Sequence, residues 1–295
     1  MKIIVSIPAY NEEKTLGLVL EEIKHYGKLL TAQGDQFEIL VLDDGSRDQT
    51  VAVAKEHGVF VVSNKRNRGL AETFRREMAE CLKRGVDIIV HTDADGQYHP
   101  KHIPELVQNI KAGYDLVLGS RFRGKIEHMP LLKRLGNNAF SKVISSLTKV
   151  RITDTTTGYR AFTAEVAREI NYINTFTYTQ EQIIKATQQG FRIKEIPIVA
   201  RRTRESRLFK NPFEYAVKAW INIFRIYRDY NPLKFFGRIG LFFLAAGGFI
   251  GIWLVYRFIT LGRVGKVPSA ILCILLIIIG IQTILFGFLA DMMKR

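Results

Sequence analysis

Val90-His91-Thr92-Asp93-Ala94-Asp95-Gly96-Gln97 is the stretch on which the reading of this chain turns. An apolar run at 86–90 leads, through His91 and Thr92, into two acids one residue apart, then a glycine and an amide. If residues 87–91 form a strand buried in a sheet, Asp93 and Asp95 leave its carboxyl end together, where open α/β sheets bind ligands. Two carboxylates and a side-chain carbonyl are hard oxygens of the kind that hold Mg²⁺ or Mn²⁺ with help from substrate phosphates. A bare Asp-x-Asp also reads as an acidic turn closing a strand, so its meaning depends on its surroundings.

Working outward, the first 120 residues alternate short apolar runs with amphipathic stretches. The pattern predicts strands at 2–7, 37–42, 59–62, 87–91 and 115–119, and helices at 11–30, 47–57, 69–83 and 102–111. Such alternation argues an α/β fold, a mainly parallel sheet with helices on both faces. No Gly-x-Gly-x-x-Gly follows the first strand, and no Gly-x-x-x-x-Gly-Lys-Ser/Thr occurs, which removes the main support for a dehydrogenase or a P-loop enzyme.

The loops after the strands carry the polar residues. Pro8-Ala9-Tyr10-Asn11-Glu12 offers a ring for a base to stack on and a carboxylate for a base or ribose, or else a helix start capped by Asn11. Asp43-Asp44-Gly45-Ser46 reads as a ribose grip or a turn. Lys65-Arg66-Asn67-Arg68-Gly69 reads as a solvated basic loop or a phosphate-facing helix start.

The C-terminal part differs in kind. Residues 239–256 and 267–290 contain no charge, and each run is long enough to span a bilayer. A short basic link joins them into a hairpin. Residues 192–238 hold 12 Lys/Arg against 4 Asp/Glu, and the chain ends in Lys294-Arg295. The positive-inside bias predicts that both ends of the hairpin and the N-terminal part face the cytoplasm. No signal peptide is expected at the N-terminus. Phe213, Ala216, Val217, Trp220, Phe224 and Tyr227 recur at helical spacing opposite Glu214, Lys218, Arg225 and Arg228, which predicts an amphipathic helix in the headgroup plane. Residues 131–150 read as a further interfacial helix. The net charge of +15 suits an anionic lipid surface. Nucleic acid is not the expected partner, since no recognition module accompanies the charge. Cys81 and Cys273 suggest neither a disulfide nor a metal site. Gly247, Gly248 and Gly251 permit close helix contact and leave room for a homo-oligomer. The expected division is 1–210 catalytic, 211–238 juxtamembrane and 239–295 transmembrane hairpin.

Together, Ile-Pro-Ala-Tyr-Asn-Glu at 7–12, Asp-Asp-Gly-Ser at 43–46, Asn67-Arg-Gly69, Asp-Ala-Asp-Gly-Gln at 93–97 and Gly-Ser-Arg at 119–121 resemble a family 2 glycosyltransferase. Within it, the chain resembles the polyprenyl-phosphate hexosyltransferases, the dolichyl-phosphate mannose synthases and their bacterial glucosyl relatives. The resemblance implies a GT-A fold, a nucleotide-sugar donor (GDP-mannose or UDP-glucose), a divalent metal, a polyprenyl or dolichyl phosphate acceptor and inversion at the anomeric carbon. It implies that Pro8, Tyr10, Glu12, Leu42 and Asp44 line the base and ribose. It places Asp93 and Ala94 on the donor, Asp95 and Gln97 on the metal, and Arg121 near the reacting phosphates. The segment Asp154-Thr-Thr-Thr-Gly158-Tyr-Arg160 resembles the acceptor side of the family. Arg201-Arg-Thr-Arg-Glu-Ser206-Arg207-Leu208 resembles the loop that closes over the diphosphate, but Arg204 stands where Gly is usual and Arg207 where Lys is usual.

The chemistry asks for these types. Breaking a sugar–phosphate bond leaves negative charge on the departing nucleoside diphosphate, which a metal and arginines neutralise. A hydroxyl acceptor would need a general base. A lipid phosphate is already an anion and needs cations to dock it, for which Arg121, Arg160 and the basic loop at 201–210 are the candidates. Asp154 is expected to orient Arg160, or in the hydroxyl reading to act as base. His91 is expected to be packed, and Glu181 either borders the acceptor or is solvated. The alternatives are transfer to a lipid-linked or polysaccharide hydroxyl, and a membrane-bound nucleotide-sugar-binding subunit without catalysis. The Gln-x-x-Arg-Trp of a processive polysaccharide synthase is absent.

Overall fold

The sheet is built from β1 (Lys2–Ala9), β2 (Gln36–Asp43), β3 (Phe60–Ser63), β4 (Ile88–His91), β5 (Leu116–Ile126), β6 (Arg160–Thr163) and β7 (Ile193–Ala200), in the order β3-β2-β1-β4-β6-β5-β7. This is a computed structural model, and it describes residues 1–295 without 128, 130, 171, 173–177, 202–220, 222–223, 264–266 and 294–295. The chain divides into two compact units, Met1–Pro212 and Phe213–Arg295.

Strand β1 pairs in parallel with β2 on one side and β4 on the other. Chain order therefore reverses beside β1, and the carboxyl ends of β1 and β4 flank the crevice where such sheets take ligands. Ile3, Ile4, Val5 and Ile7 of β1 and Ile88, Ile89 and Val90 of β4 are fully buried, because helices cover both faces. Helix α1 (Leu16–Ala32) contributes Leu16, Val19, Leu20, Ile23 and Leu30, the apolar stripe of a 3.6-residue period. Helix α2 (Thr50–Glu56) is short, and α3 (Leu70–Lys83) lays Phe74, Met78 and Cys81 inward at i, i+4 and i+7. Helix α4 (Ile103–Lys111) follows one 3₁₀ turn, Pro100–His102.

Two features depart from the sequence expectation. The first helix begins at Leu16, not at 11. Asn11 adopts φ 54°, which no α-helix accommodates, and the segment is stitched sideways instead. Asn11 N–H donates to Ser46 Oγ and Glu12 N–H to Thr50 Oγ1, while Asn11 Oδ1 accepts from Arg47 N–H. Second, the sheet is mixed. β6 runs antiparallel to both β4 and β5 and separates them. A four-residue strand containing an arginine gives no apolar run to find. Helices α5 (Leu131–Thr148), α6 (Ala164–Glu169) and α7 (Tyr178–Gln188) complete this unit.

In the second unit, residues 224–230 are helical, with Phe224 exposed and Ile226 buried. Phe213, Ala216, Val217 and Trp220 of the expected interfacial helix lie outside the described residues. Two helices, Pro232–Leu261 and Val267–Met292, are long and apolar enough to cross a membrane. They pack on a seven-residue repeat: Gly240, Gly247 and Leu254 on one, Cys273, Gly280 and Gly287 on the other, all buried. A Cβ at Gly280 would stand 2.7 Å from Leu244 Cγ and 2.8 Å from the Gly240 carbonyl. At Gly247 it would stand 2.9 Å from Ile277 Cγ1 but at Gly248 it would meet nothing within 4 Å, so these two neighbouring glycines of the first span do different jobs. Small residues let helix backbones approach where no hydrophobic force favours association in lipid. Gly280→Leu is expected to cost about 1–3 kcal/mol by overpacking, and Gly248→Ala to change little; thermal unfolding in detergent measures both.

Candidate active site

The Asp93–Gln97 turn follows β4 directly. Gly96 has φ 74°, and Asp95 Oδ1 accepts the Gln97 N–H at 3.0 Å, which closes the turn. Asp93, Asp95 and Gln97 are partly exposed, and Ala94 is buried. Gly158 lies against Asp93: a Cβ there would stand 3.1 Å from both carboxylate oxygens. Gly158 N–H donates to Tyr98 Oη at 3.2 Å, and the Tyr98 ring stacks on Tyr159 with centroids 5.2 Å apart. Burial, with the like charges around it, pushes the Tyr98 phenol up to about 12.

Desolvation, then the Asp95 charge, raises the Asp93 carboxyl to about 6, against a pull from His91 and Arg121. Two carboxylates crowded in this way suit a cation between them. The donor set, Asp93 or Asp95 with the Gln97 side-chain oxygen, is hard oxygen throughout and fits Mg²⁺ or Mn²⁺. No group of three or more His, Cys, Asp or Glu side chains with metal-holding geometry occurs among the described residues, so such an ion would depend on donor phosphates for the rest of its shell. The raised pKa has a sign that can be tested. The folded state favours protonated Asp93, so its contribution is present below about 3.8 and is lost as pH rises through about 6. In metal-free protein, Asp93→Asn is expected to raise stability above pH 6 and to change little near pH 4. Thermal melts across that range measure it.

Arg121 comes from β5 and is nearly buried. Its Nε donates to Asp154 Oδ2 at 2.7 Å and its Nη2 to Asp154 Oδ1 at 2.9 Å, a side-on fork, and Nη2 also reaches Thr156 Oγ1 at 2.8 Å. Nη1 has no partner among the described residues. Burial alone would lower this guanidinium, but Tyr98 and the paired Asp154 hold it above the ordinary arginine range. The expectation for Asp154 is thus corrected: it orients Arg121, not Arg160, and being fully buried and doubly bonded it has no free oxygen for a base.

Arg160 is a second correction. It is fully buried in β6, and its guanidinium donates to Thr179 O, Gln182 Oε1 and Thr157 O. In the β4–β6 register it stands opposite the buried His91, with its guanidinium over the Tyr178 ring, so its side chain is not presented to an acceptor phosphate. Leu42 of β2 is also fully buried and presents no side-chain surface to a base. Asp44 is buried and spent on the neighbouring loop: it accepts from Asn64 Nδ2, Arg68 N–H and Gly69 N–H at 2.8–2.9 Å. Pro8 is half-buried at the end of β1, Tyr10 is exposed, and Glu12 is buried with Oε2 accepting from Thr15 Oγ1. Arg201 pairs bidentately with Glu22 of α1 at 2.9 and 3.0 Å, and its N–H donates to Gln97 O. Arg204 and Arg207 lie outside the described residues. His91 is packed as expected, between Glu77 Oε1 at 2.7 Å and Tyr178 Oη at 2.8 Å. Glu181 is neither solvated nor free: it is buried and pairs with Lys185 at 2.8 Å.

The structure therefore assembles Asp93, Asp95, Gln97 and Arg121, with Pro8 and Tyr10 at the end of the adjoining strand. Tyr98, Thr156 and Gly158 belong to the same wall; Thr156 and Gly158 lie within the 154–160 segment, and Tyr98 gave no sequence signal.

Comparison with known proteins identifies the family. The family model described as Glycosyl transferase family 2 matches residues 4–171. A dolichyl-phosphate hexose transferase of Haloferax volcanii is 32% identical over 211 residues, covering 71% of this chain and 86% of that protein. A dolichol-phosphate mannosyltransferase of Pyrococcus furiosus is 32% identical over 294 residues, covering 93% and 78%. Among solved structures, glucosyl-3-phosphoglycerate synthase from Mycobacterium tuberculosis, in complex with Mn²⁺, UDP and glucosyl-3-phosphoglycerate, superposes with a TM-score of 0.61 at 22% identity, covering 77% of this chain and 78% of that one. At that identity the likeness concerns the fold.

Proposed function

The chain belongs to glycosyl transferase family 2 and is a glycosyltransferase, and from that premise we propose that it moves a hexose, mannose or glucose, from GDP-mannose or UDP-glucose to a polyprenyl or dolichyl phosphate at the cytoplasmic membrane face. The observation that carries this reading is Asp93 and Asp95 at the carboxyl end of β4, beside the sheet's switch point, with the Arg121 charge, forked by Asp154, acting on Asp93, in a chain that also carries two membrane-length helices. The relatives named for dolichyl- or dolichol-phosphate transfer support the acceptor class.

In this reading Tyr10 and Pro8 receive the base, and Asp93 and Ala94 border the sugar. Asp95 and Gln97 would hold Mg²⁺ or Mn²⁺, which as a bound Lewis acid would neutralise the leaving diphosphate. Arg121, locked on one edge by Asp154, offers its other edge to phosphate oxygens without reorganising, which is where preorganised charge is most effective. Attack from the face opposite the leaving group inverts the anomeric carbon. Asp154 being spent on Arg121 favours an acceptor that needs no base. A hydroxyl acceptor remains the second reading because the raised Asp93 carboxyl is suited to take a proton near neutral pH.

The test is purified protein in vesicles containing a polyprenyl phosphate, with Mg²⁺ or Mn²⁺ and a panel of radiolabelled nucleotide sugars. Label in an organic-extractable, mild-acid-labile glycolipid is the expected result. Label only in hydroxyl-linked or water-soluble product would move the assignment to the second reading, and donor binding without turnover would indicate a silent subunit.

A further inference from the structure

Behind Arg121 lies a second carboxylate that the site chemistry does not use. Glu195, on β7, is buried and makes no ion pair among the described residues. Its Oε1 accepts from Thr153 N–H at 2.9 Å and Asp154 N–H at 3.0 Å, and its Oε2 from Thr153 N–H and Thr153 Oγ1, both at 3.0 Å. Desolvation raises its pKa, which the four donated bonds only partly offset. A buried carboxylate without a cation is costly, and an apolar contact would hold β7 against its neighbours at lower cost.

Both chain segments that meet Glu195 lead to Arg121. Asp154, whose N–H Glu195 holds, is the residue that forks Arg121. Thr153, whose hydroxyl donates to Glu195, accepts in turn from Ser120 Oγ at 2.7 Å, and Ser120 immediately precedes Arg121 and accepts from Arg123 N–H. The turn is braced from the other side by Asn137 of α5, which accepts from Thr156 Oγ1 at 2.7 Å and donates to Thr153 O at 3.2 Å.

We propose that Glu195 is the positioning residue of Arg121: it never touches substrate, but its carboxylate sets the 153–156 turn so that Asp154 meets the guanidinium side-on and leaves Nη1 as the free donor. This rests on the reading of Arg121 as a phosphate ligand. A neutral amide cannot replace the carboxylate. Glu195→Gln keeps one accepting oxygen but aims an NH₂ at the Thr153 N–H and hydroxyl, both donors in the native arrangement. The turn then shifts, the fork opens, and Arg121 loses its single orientation.

The experiment is a double-mutant cycle on the full chain, with Glu195→Gln and Arg121→Ala made singly and together. Transfer rate and thermal midpoint are read for all four proteins. Glu195→Gln alone is expected to lower kcat about 10- to 100-fold with donor KM changed less than about threefold. In the Arg121→Ala background it should lower kcat no further, because nothing is left to position. The fall in midpoint of the double variant should likewise be smaller than the sum of the single falls. A Glu195→Gln loss of the same factor in both backgrounds, an unchanged kcat, or additive midpoints would overturn the proposal, since Glu195 would then act on the fold at large or not at all. The midpoints need no substrate. Coupled midpoints in a protein that transfers no hexose would sink the functional reading and leave the positioning link standing.

Discussion

Asp95→Ala is expected to reduce hexose transfer by at least about a thousandfold and to abolish metal-dependent binding of the nucleotide sugar. Asp95 has one oxygen committed to the Gln97 N–H, which sets the turn, and the other available to a cation. Removing it therefore takes away a ligand and the turn closure together. Loss of one group that stabilises developing charge costs about 2.7–4 kcal/mol of barrier, or roughly 10²–10³ in rate, and loss of the ion it helps to hold adds to this. Asp95→Asn keeps the accepted hydrogen bond and loses the charge, so it should retain the fold and still fail in transfer. Isothermal titration with Mn²⁺ and GDP or UDP, run beside the glycolipid assay, separates the two losses. Full activity in Asp95→Ala would remove the metal from the proposal.

The second large effect lies one strand away. Asp154→Ala leaves the Arg121 guanidinium nearly buried with its fork partner gone. Breaking one side of a buried pair typically costs about 3–5 kcal/mol, because the remaining charge is uncompensated. The variant should therefore unfold many degrees lower and transfer about a hundredfold more slowly at temperatures where it stays folded. The pair of substitutions Arg121→Met with Asp154→Leu sorts the contributions. Replacing both partners by apolar groups of similar size is expected to recover most of the stability and none of the activity. Recovery of activity in that double variant would show that Arg121 serves the fold alone. Asp154→Ala at wild-type stability would contradict the fork.

The Asp93–Gln97 turn was legible because its meaning is local. An apolar strand ending in Asp-x-Asp-Gly-Gln specifies its own direction and its own turn, and the structure closes that turn with Asp95 Oδ1 on the Gln97 N–H. Asn67, Arg68 and Gly69 were legible as a helix entry, but that the Arg68 and Gly69 N–H groups clasp Asp44, 24 and 25 positions earlier in the chain, was not. Arg160 and Asp154 were misjudged as partners for the same kind of reason. They share a motif, yet β6 enters the sheet antiparallel and turns one inward while the other meets β5. Glu195 was invisible, since an acid within an apolar strand carries no mark of the loop it will hold.

From the order and kind of its residues alone, this chain declared an alternating α/β unit, a hard-oxygen turn at a strand end and two membrane-length apolar helices. These depend on periodicity, chain direction and side-chain chemistry, all of which act between near neighbours. Only the tertiary structure decided that Arg121 belongs to Asp154, that Arg160 is core, and that Gly240 and Gly280 carry the helix contact while Gly248 does not. Those outcomes depend on strand insertion and on which face of each element meets another, and such contacts join residues tens of positions apart.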